Sequence, residues 1–171
     1  MIVLIAGASH TGKTLLAQRL LERYRMPCLS IDHLKMGLIR SGQPRLTPTS
    51  SDAALTAYLW PILREMIKTA LENRQSLILE GSYIPFDWAA GFTPAEREQV
   101  RYFCLAMSER YIRTHFADIL RHANVVEHRL DDSGCTQSSL LRENAEVLVG
   151  CRMHGIRPLL IDESYEVDVR L

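Results

Sequence analysis

The fold is decided by one stretch near the start of the chain: Gly7-Ala8-Ser9-His10-Thr11-Gly12-Lys13-Thr14. Its spacing is G-x-x-x-x-G-K-[ST], the pattern of a phosphate-binding loop, or P-loop. The apolar run Ile2–Ala6 before it predicts a buried strand, and leucines at helical spacing after it predict an amphipathic helix. Because the strand, the complete motif and the helix occur in the required order, we predict a ligand-binding loop rather than an empty glycine-rich turn.

Each part of this loop has a physical task. Gly7 and Gly12 let the backbone turn tightly, so that successive N–H groups point inward at phosphate oxygens at the start of a helix. Lys13 would reach the β- and γ-phosphates, and the Thr14 hydroxyl would coordinate Mg²⁺. We therefore predict that residues 7–14 bind a purine nucleoside triphosphate. The middle positions of the loop tolerate many side chains, so we expect no chemical role for the His10 side chain.

Four further apolar runs predict strands at 27–31, 76–80, 102–106 and 157–161. Amphipathic stretches between them predict helices at about 52–73, 108–123 and 138–154, with another helix start at Thr93-Pro94-Ala95-Glu96. Pro61 is expected to kink the first of these helices or to start a second one. Because four of the five strands are almost entirely apolar, we predict a parallel sheet covered on both faces, a three-layer α/β/α fold.

The composition, with 47% hydrophobic and 23% charged residues, is typical of a soluble globular protein. A formal net charge of zero argues against a broad nucleic-acid-binding surface, and the apolar stretches are too short to span a membrane. Four cysteines without C-x-x-C spacing indicate neither a zinc site nor a redox motif. We expect one cytoplasmic domain over 1–171, with a mobile surface segment at 35–51.

Two acids lie at the ends of predicted strands. In open α/β sheets ligands bind beyond the carboxyl ends of the strands, so Asp32 and Glu80 would both face the phosphate site if their strands flank the first. Asp32 is interpreted as the base for a substrate hydroxyl, as an outer ligand of Mg²⁺, or as the N-cap of a helix that begins at His33. Glu80 would position water, metal or substrate, or else hold backbone groups of neighbouring loops.

Several arginines lie between the fourth and fifth predicted strands: Arg110, Arg113, Arg121, Arg129 and Arg142. Phosphoryl transfer needs positive charge around the γ-phosphate, and small kinases often supply it from a lid that excludes water. Arg110 and Arg113 are three residues apart and share one helix face, so they are our candidates for catalysis. The alternative for each arginine is a solvated helix face, with Glu109 as a partner.

At this point the chain resembles the P-loop small-molecule kinases, the group of the adenylate, shikimate and gluconate kinases and the zeta toxins. The resemblance rests on residues 7–14, on the arginine segment from 108, and on two motifs after strands, Ser30-Ile31-Asp32-His33-Leu34 and Leu79-Glu80-Gly81-Ser82-Tyr83. It implies ATP, Mg²⁺ and a five-stranded parallel sheet of order 2-3-1-4-5. It also implies a small-molecule acceptor bound between an insertion at about 33–60 and a helical lid at about 108–142.

The resemblance further implies that Asp32 faces the acceptor hydroxyl, with His33, Glu80 and Tyr83 also on the substrate side. The adenine would lie near the arginine helix and residues 162–165. The chain departs from two family patterns: it lacks the Asp-x-Asp of shikimate kinases at position 32 and a clear arginine signature of nucleoside monophosphate kinases.

The sequence is therefore consistent with three functions of the chain. The first is an ATP-dependent kinase that phosphorylates a hydroxyl or phosphate of a small metabolite, with Lys13, Asp32, Arg110 and Arg113 in catalysis. The second is a nucleotide-dependent switch with slow hydrolysis, in which 35–51 is ordered by the γ-phosphate. The third is a zeta-toxin-like kinase whose acceptor is a nucleotide-sugar or a macromolecule.

Overall fold

The computed structural model describes residues 1–122 and 134–171. Within these ranges the strands are β1 (Ile2–Gly7), β2 (Cys28–Ser30), β3 (Leu77–Glu80), β4 (Val100–Met107) and β5 (Leu159–Ile161). The helices are α1 (Lys13–Tyr24), α2 (Ile31–Arg40), α3 (Asp52–Glu72), α4 (Pro94–Glu98), α5 (Glu109–His122) and α6 (Gln137–Met153). A short 3-10 helix, Trp88–Gly91, follows β3.

The five strands form one parallel sheet in the order β2-β3-β1-β4-β5. Ile5 of β1 pairs with Glu80 of β3 on one side, and Gly7 pairs with Leu105 of β4 on the other. All five strands therefore end at the same edge of the sheet, where ligands bind in open α/β folds. The predicted fold class and the predicted strand order are both confirmed.

Alternate side chains of β1 enter two separate cores, as the period of a strand requires. Ile2 and Leu4 pack towards α3, whose buried stripe consists of Leu55, Leu59, Leu63 and Ile67. Val3 and Ile5 pack towards α1 and α5, through residues that include Leu16, Leu20 and Ile112. Both faces of the sheet are covered, which explains why its strands are almost entirely apolar.

Two predicted helix starts are confirmed, and one alternative was wrong. Ser51 caps α3 by accepting a hydrogen bond from the Ala54 N–H, and Thr93 and Glu96 form a capping box at α4. Pro61 does not start a second helix, because α3 continues through it to Glu72. Its buried leucine stripe on the sheet explains why the helix continues at the cost of a backbone hydrogen bond.

The second strand is shorter than predicted. It ends at Ser30, and α2 begins at Ile31, so Asp32 lies in the first turn of a helix rather than at a strand end. Ser30 occupies the N-cap position, without a side-chain hydrogen bond to the helix, which corrects the alternative of a helix that Asp32 caps. Residues 35–40, predicted as part of a mobile surface segment, belong to α2 as well.

Arg129 and the part of the predicted lid over residues 123–133 lie outside the described residues. Of the helices in the two described ranges, none combines the length and the apolar character that a membrane span needs.

Candidate nucleotide and acceptor site

The loop that connects β1 to α1 has room only for glycine at two positions. A Cβ atom at Gly7, where φ is +130°, would lie 2.1 Å from the backbone oxygen of Leu105. A Cβ atom at Gly12, where φ is +79°, would lie 1.8 Å from the hydroxyl of Tyr165. Both glycines of the motif are therefore required by positive φ and by close approach, as predicted from the pattern.

Internal hydrogen bonds hold the loop in shape. The buried Thr11 hydroxyl donates to the Ala8 carbonyl at 2.7 Å. The Lys13 ammonium donates to the Ala8 and Gly7 carbonyls at 2.7 and 3.2 Å. His10, in the middle of the loop, takes a left-handed φ of 62°. The loop places Lys13 at the first residue of α1, where the helix dipole favours an anion.

Two side chains from distant parts of the chain contact the loop. The Ser9 N–H donates to a carboxylate oxygen of Glu143, on α6, at 2.6 Å. The Tyr165 hydroxyl donates to the Thr11 carbonyl at 3.3 Å. The resemblance had indicated Tyr165 only as part of a segment near the adenine, and no local pattern distinguishes Glu143 from the other acids of its helix.

Thr14 and Glu80 form the part of the site that could hold a metal. The Thr14 hydroxyl donates to a Glu80 carboxylate oxygen at 3.3 Å, and Glu80 is only 3% exposed at the end of β3. Burial, and next the charge of Glu80, raises the pKa of the nearby Cys28 thiol to about 11.

Within residues 1–122 and 134–171 no cluster of three or more metal-ligating side chains occurs. Nucleotide-bound Mg²⁺ needs no such cluster, because it takes one or two protein oxygens and completes its shell with phosphates and water. The two oxygens of Thr14 and Glu80 fit that requirement.

A second polar group lies on α2 and the loop after β3. The ammonium of Lys35 bonds a carboxylate oxygen of Asp32 and, at 3.0 Å, the hydroxyl of Tyr83. Burial opposes the charge of Lys35, but the hydrogen bonds to Asp32 and Tyr83 outweigh it and raise the pKa of the ammonium. The structure thus joins Asp32 and Tyr83 through a lysine that the sequence analysis missed, while His33 is exposed on α2.

A cavity of about 230 Å³ adjoins the loop at Gly7. Its walls come from the start of α3, the loop after β3, β4 and α6, and they include Asp52, Ser82, Glu143 and Glu146. Partial desolvation at this wall, followed by the charge of Glu143, raises the pKa of the Asp52 carboxyl. Lysine and arginine are absent from the described residues that line the cavity. Its size suits a small acceptor rather than a drug-sized ligand.

The two candidate arginines lie on α5 and pair with carboxylates. Arg110 contacts Asp162 at 2.8 Å and Glu163 at 3.0 Å, in the segment after β5 that the resemblance assigns to the adenine. Arg113 contacts Glu109 at 2.8 Å, one turn away on the same helix. These are exposed ion pairs, and Arg113 has the partner that the solvated-face alternative named.

Comparison with known proteins gives a consistent fold. A candidate kinase from Chloroflexus aurantiacus J-10-fl shares 21% identity at a TM-score of 0.55, over 98% of this chain and 91% of that one. A deoxyadenosine kinase from M. mycoides shares 10% identity at a TM-score of 0.54, over 98% of this chain and 92% of that one. A shikimate kinase from Aquifex aeolicus shares 14% identity at a TM-score of 0.51, over 98% of this chain and 88% of that one.

No protein-family model matches the chain, and no curated protein matches it. At these identities the structural likeness establishes the fold alone. The chain has the three-layer α/β/α P-loop fold of these solved structures, which confirms the fold that the resemblance implies.

Proposed function

We propose that this chain is an ATP-dependent phosphotransferase that moves the γ-phosphate of Mg-ATP to a small molecule. The observation that carries the proposal is the cavity of about 230 Å³ that shares Gly7 with the phosphate loop. A donor loop and an acceptor-sized cavity that meet at one residue provide the proximity that a transfer reaction requires.

On the donor side, the backbone N–H groups of the loop and Lys13 would bind the phosphates. Lys13 now donates to two loop carbonyls, and it would exchange these contacts for β- and γ-phosphate oxygens. Thr14 and Glu80 would hold Mg²⁺. When bound, this ion would neutralise the negative charge that develops on the phosphates during the transfer. Arg110 and Arg113 would add charge from α5, since ion pairs as exposed as theirs are weak in water and open easily.

On the acceptor side, Asp32 does not line the cavity itself, but its charge acts on Asp52 of the cavity wall. From this flank Asp32 would orient the acceptor hydroxyl and accept its proton. Its carboxylate is about half exposed, and the bond to Lys35 fixes its direction. The Tyr83 hydroxyl, 3.0 Å from the same ammonium, would supply a second polar contact. His33 lies on α2, as Asp32 does, but its side chain is exposed. It would therefore contact the acceptor only from the solvent side of that helix.

The cavity wall indicates the charge of the acceptor. Asp52, Glu143 and Glu146 line it, and the described lining contains no lysine or arginine. A carboxylate or phosphate acceptor would be repelled by this wall, whereas a neutral polyol or an amino alcohol would not. The charge of Lys35 also reaches Asp52, but Lys35 is paired with Asp32, so this pair adds no net positive charge to the wall. We therefore place the acceptor among small neutral or amine-bearing hydroxyl compounds.

The test is a transfer assay with γ-labelled ATP and a panel of amino alcohols, neutral polyols and hydroxy acids of matched size. We expect label in a polyol or amino alcohol, loss of the rate by orders of magnitude in Lys13→Ala, and no loss in Lys68→Ala. Lys68 is a matched control because it pairs with Glu65 on α3. If ATP binds tightly and no panel member gains phosphate, the kinase proposal fails and the nucleotide-dependent switch becomes the better account.

A further inference from the structure

The carboxylate of Glu143 is hydrogen-bonded to the phosphate loop. Its carboxylate oxygen lies 2.6 Å from the Ser9 N–H, in the middle of the loop. Glu143 is a residue of α6, 134 positions away along the chain, so this contact depends on the folded structure. A charge-assisted bond from a backbone N–H to a carboxylate is of the kind that a phosphate oxygen forms with the same group.

The position of Glu143 indicates which phosphate it imitates. Glu143 and Gly7 both line the acceptor cavity, so the Ser9 N–H lies on the acceptor side of the loop. In phosphoryl transfer the γ-phosphate is the group that faces the acceptor. The carboxylate of Glu143 thus lies where the γ-phosphate would lie and accepts a hydrogen bond from an N–H group that the γ-phosphate would use. The start of α1, which would bind the β-phosphate, lies away from this contact.

We propose that Glu143 is an internal competitor of the γ-phosphate, which makes it a residue that sets the relative affinity for ATP and ADP. This inference rests on the proposed function, because it requires that the loop bind a nucleoside triphosphate. Two anions cannot share one N–H donor, so the carboxylate must leave Ser9 when ATP binds. ADP lacks the γ-phosphate and leaves the contact in place.

Isothermal titration of the full chain with Mg-ATP and with Mg-ADP tests this proposal. We expect Glu143→Gln to bind ATP about tenfold more tightly than the wild type, because it keeps the side-chain shape and removes the charge. The affinity for ADP should change less than about twofold. Glu143→Ala, which removes the competing group altogether, should show the same selective gain.

Glu146→Gln separates the Ser9 contact from the general charge of the cavity wall. Glu146 lies on the same helix and lines the same cavity, and its substitution removes the same charge without touching the Ser9 contact. We expect its gain in ATP affinity to be less than half that of Glu143→Gln, and an equal gain would show a general charge effect and overturn the inference. Glu72→Gln is the control that should bind both nucleotides as the wild type does, because Glu72 is exposed at the end of α3 and does not line the cavity.

Two further results would overturn it. One is an ATP affinity within about twofold of the wild type in both Glu143 variants. The other is a parallel loss of ATP and ADP binding with a lower melting temperature, which would make Glu143 a structural anchor of α6. If neither the wild type nor any variant binds ATP, the proposed function itself fails and this inference fails with it, whereas normal ATP binding without selectivity overturns the inference alone.

Discussion

Gly7→Ala tests how strictly the sheet fixes the phosphate loop. The added Cβ would lie 2.1 Å from the Leu105 oxygen and 2.6 Å from its nitrogen. Both atoms belong to the backbone of β4, which pairs with β1 at this residue, so they cannot rotate away as a side chain could. To remove this clash, the strand or the loop must move by about 1 Å. Such a shift at an overpacked site costs about 1–3 kcal/mol of stability.

The backbone angle adds a second penalty. At φ +130° a residue with a side chain is strained, at a cost of order 1–3 kcal/mol. The two penalties together predict that Gly7→Ala lowers the free energy of unfolding by about 2–6 kcal/mol. Since a domain of this size is stable by only about 5–15 kcal/mol, the variant should lose much of its stability or remodel its loop.

Urea unfolding followed by far-ultraviolet circular dichroism measures this change, with Gly37→Ala as the control. Gly37 lies inside α2, and a Cβ there would meet nothing within 4 Å. Alanine should therefore stabilise that helix by about 0.5–1 kcal/mol through its higher helix propensity. A Gly7→Ala variant within about 1 kcal/mol of the wild type would refute the argument that backbone contact and φ together exclude a side chain at this position.

Three other predictions concern Glu80, Cys28 and Asn144, which are buried or partly buried. Glu80→Gln should lower the Mg²⁺-dependent transfer rate at least about 100-fold, and a steady-state assay with unchanged activity would contradict a metal role. The pKa of Cys28 is raised from 9.0 to about 11, so at pH values between these the unfolded thiol is ionised and the folded one is not. The contribution of Cys28 to stability is therefore full below pH 9 and declines as the pH rises towards 11, and Glu80→Gln should shift its alkylation profile to lower pH. Asn144→Ala should cost about 2–3 kcal/mol in urea unfolding, because the buried amide accepts from the Met107 N–H at 2.7 Å and donates to the Leu140 carbonyl at 2.8 Å. A loss below about 0.5 kcal/mol would mean that water replaces both bonds.

The sheet could be predicted from the sequence because its signals are local. The buried strands are short apolar runs bounded by glycine or polar residues, and the phosphate loop fixes which run is β1. The helix α2 was missed beyond its first residues, since 35–51 is rich in glycine, proline and hydroxyl residues. Leu34, Leu38 and Ile39 nevertheless pack against the core beside α3, and this burial outweighs the weak local propensity.

The candidate site could be predicted where its residues are continuous in sequence or follow directly on a strand, as Glu80 beside Thr14 does. Residues 7–14 were identified together because their spacing carries the chemistry. Lys35 was missed because its role depends on Tyr83, 48 positions away, and Glu143 because its partner is 134 positions away. The roles assigned to Asp32, Arg110 and Arg113 stay predictions, and the transfer assay with single variants is their test.

The balance of charge at the carboxyl edge of the sheet explains why Mg²⁺ should matter for binding as well as for chemistry. Glu80, Asp52 and Glu143 lie at this edge around the loop and the cavity. Lys35 is engaged with Asp32, so Lys13 is the principal cation that the described residues bring to the loop. One ammonium and a set of N–H dipoles must then hold a polyanion beside several carboxylates, whose repulsion is strong where water is scarce. In the proposed function, a divalent ion between Thr14, Glu80 and the phosphates would turn the charge of Glu80 from a repulsion into a ligand, and the acidic edge would then be compatible with a triphosphate.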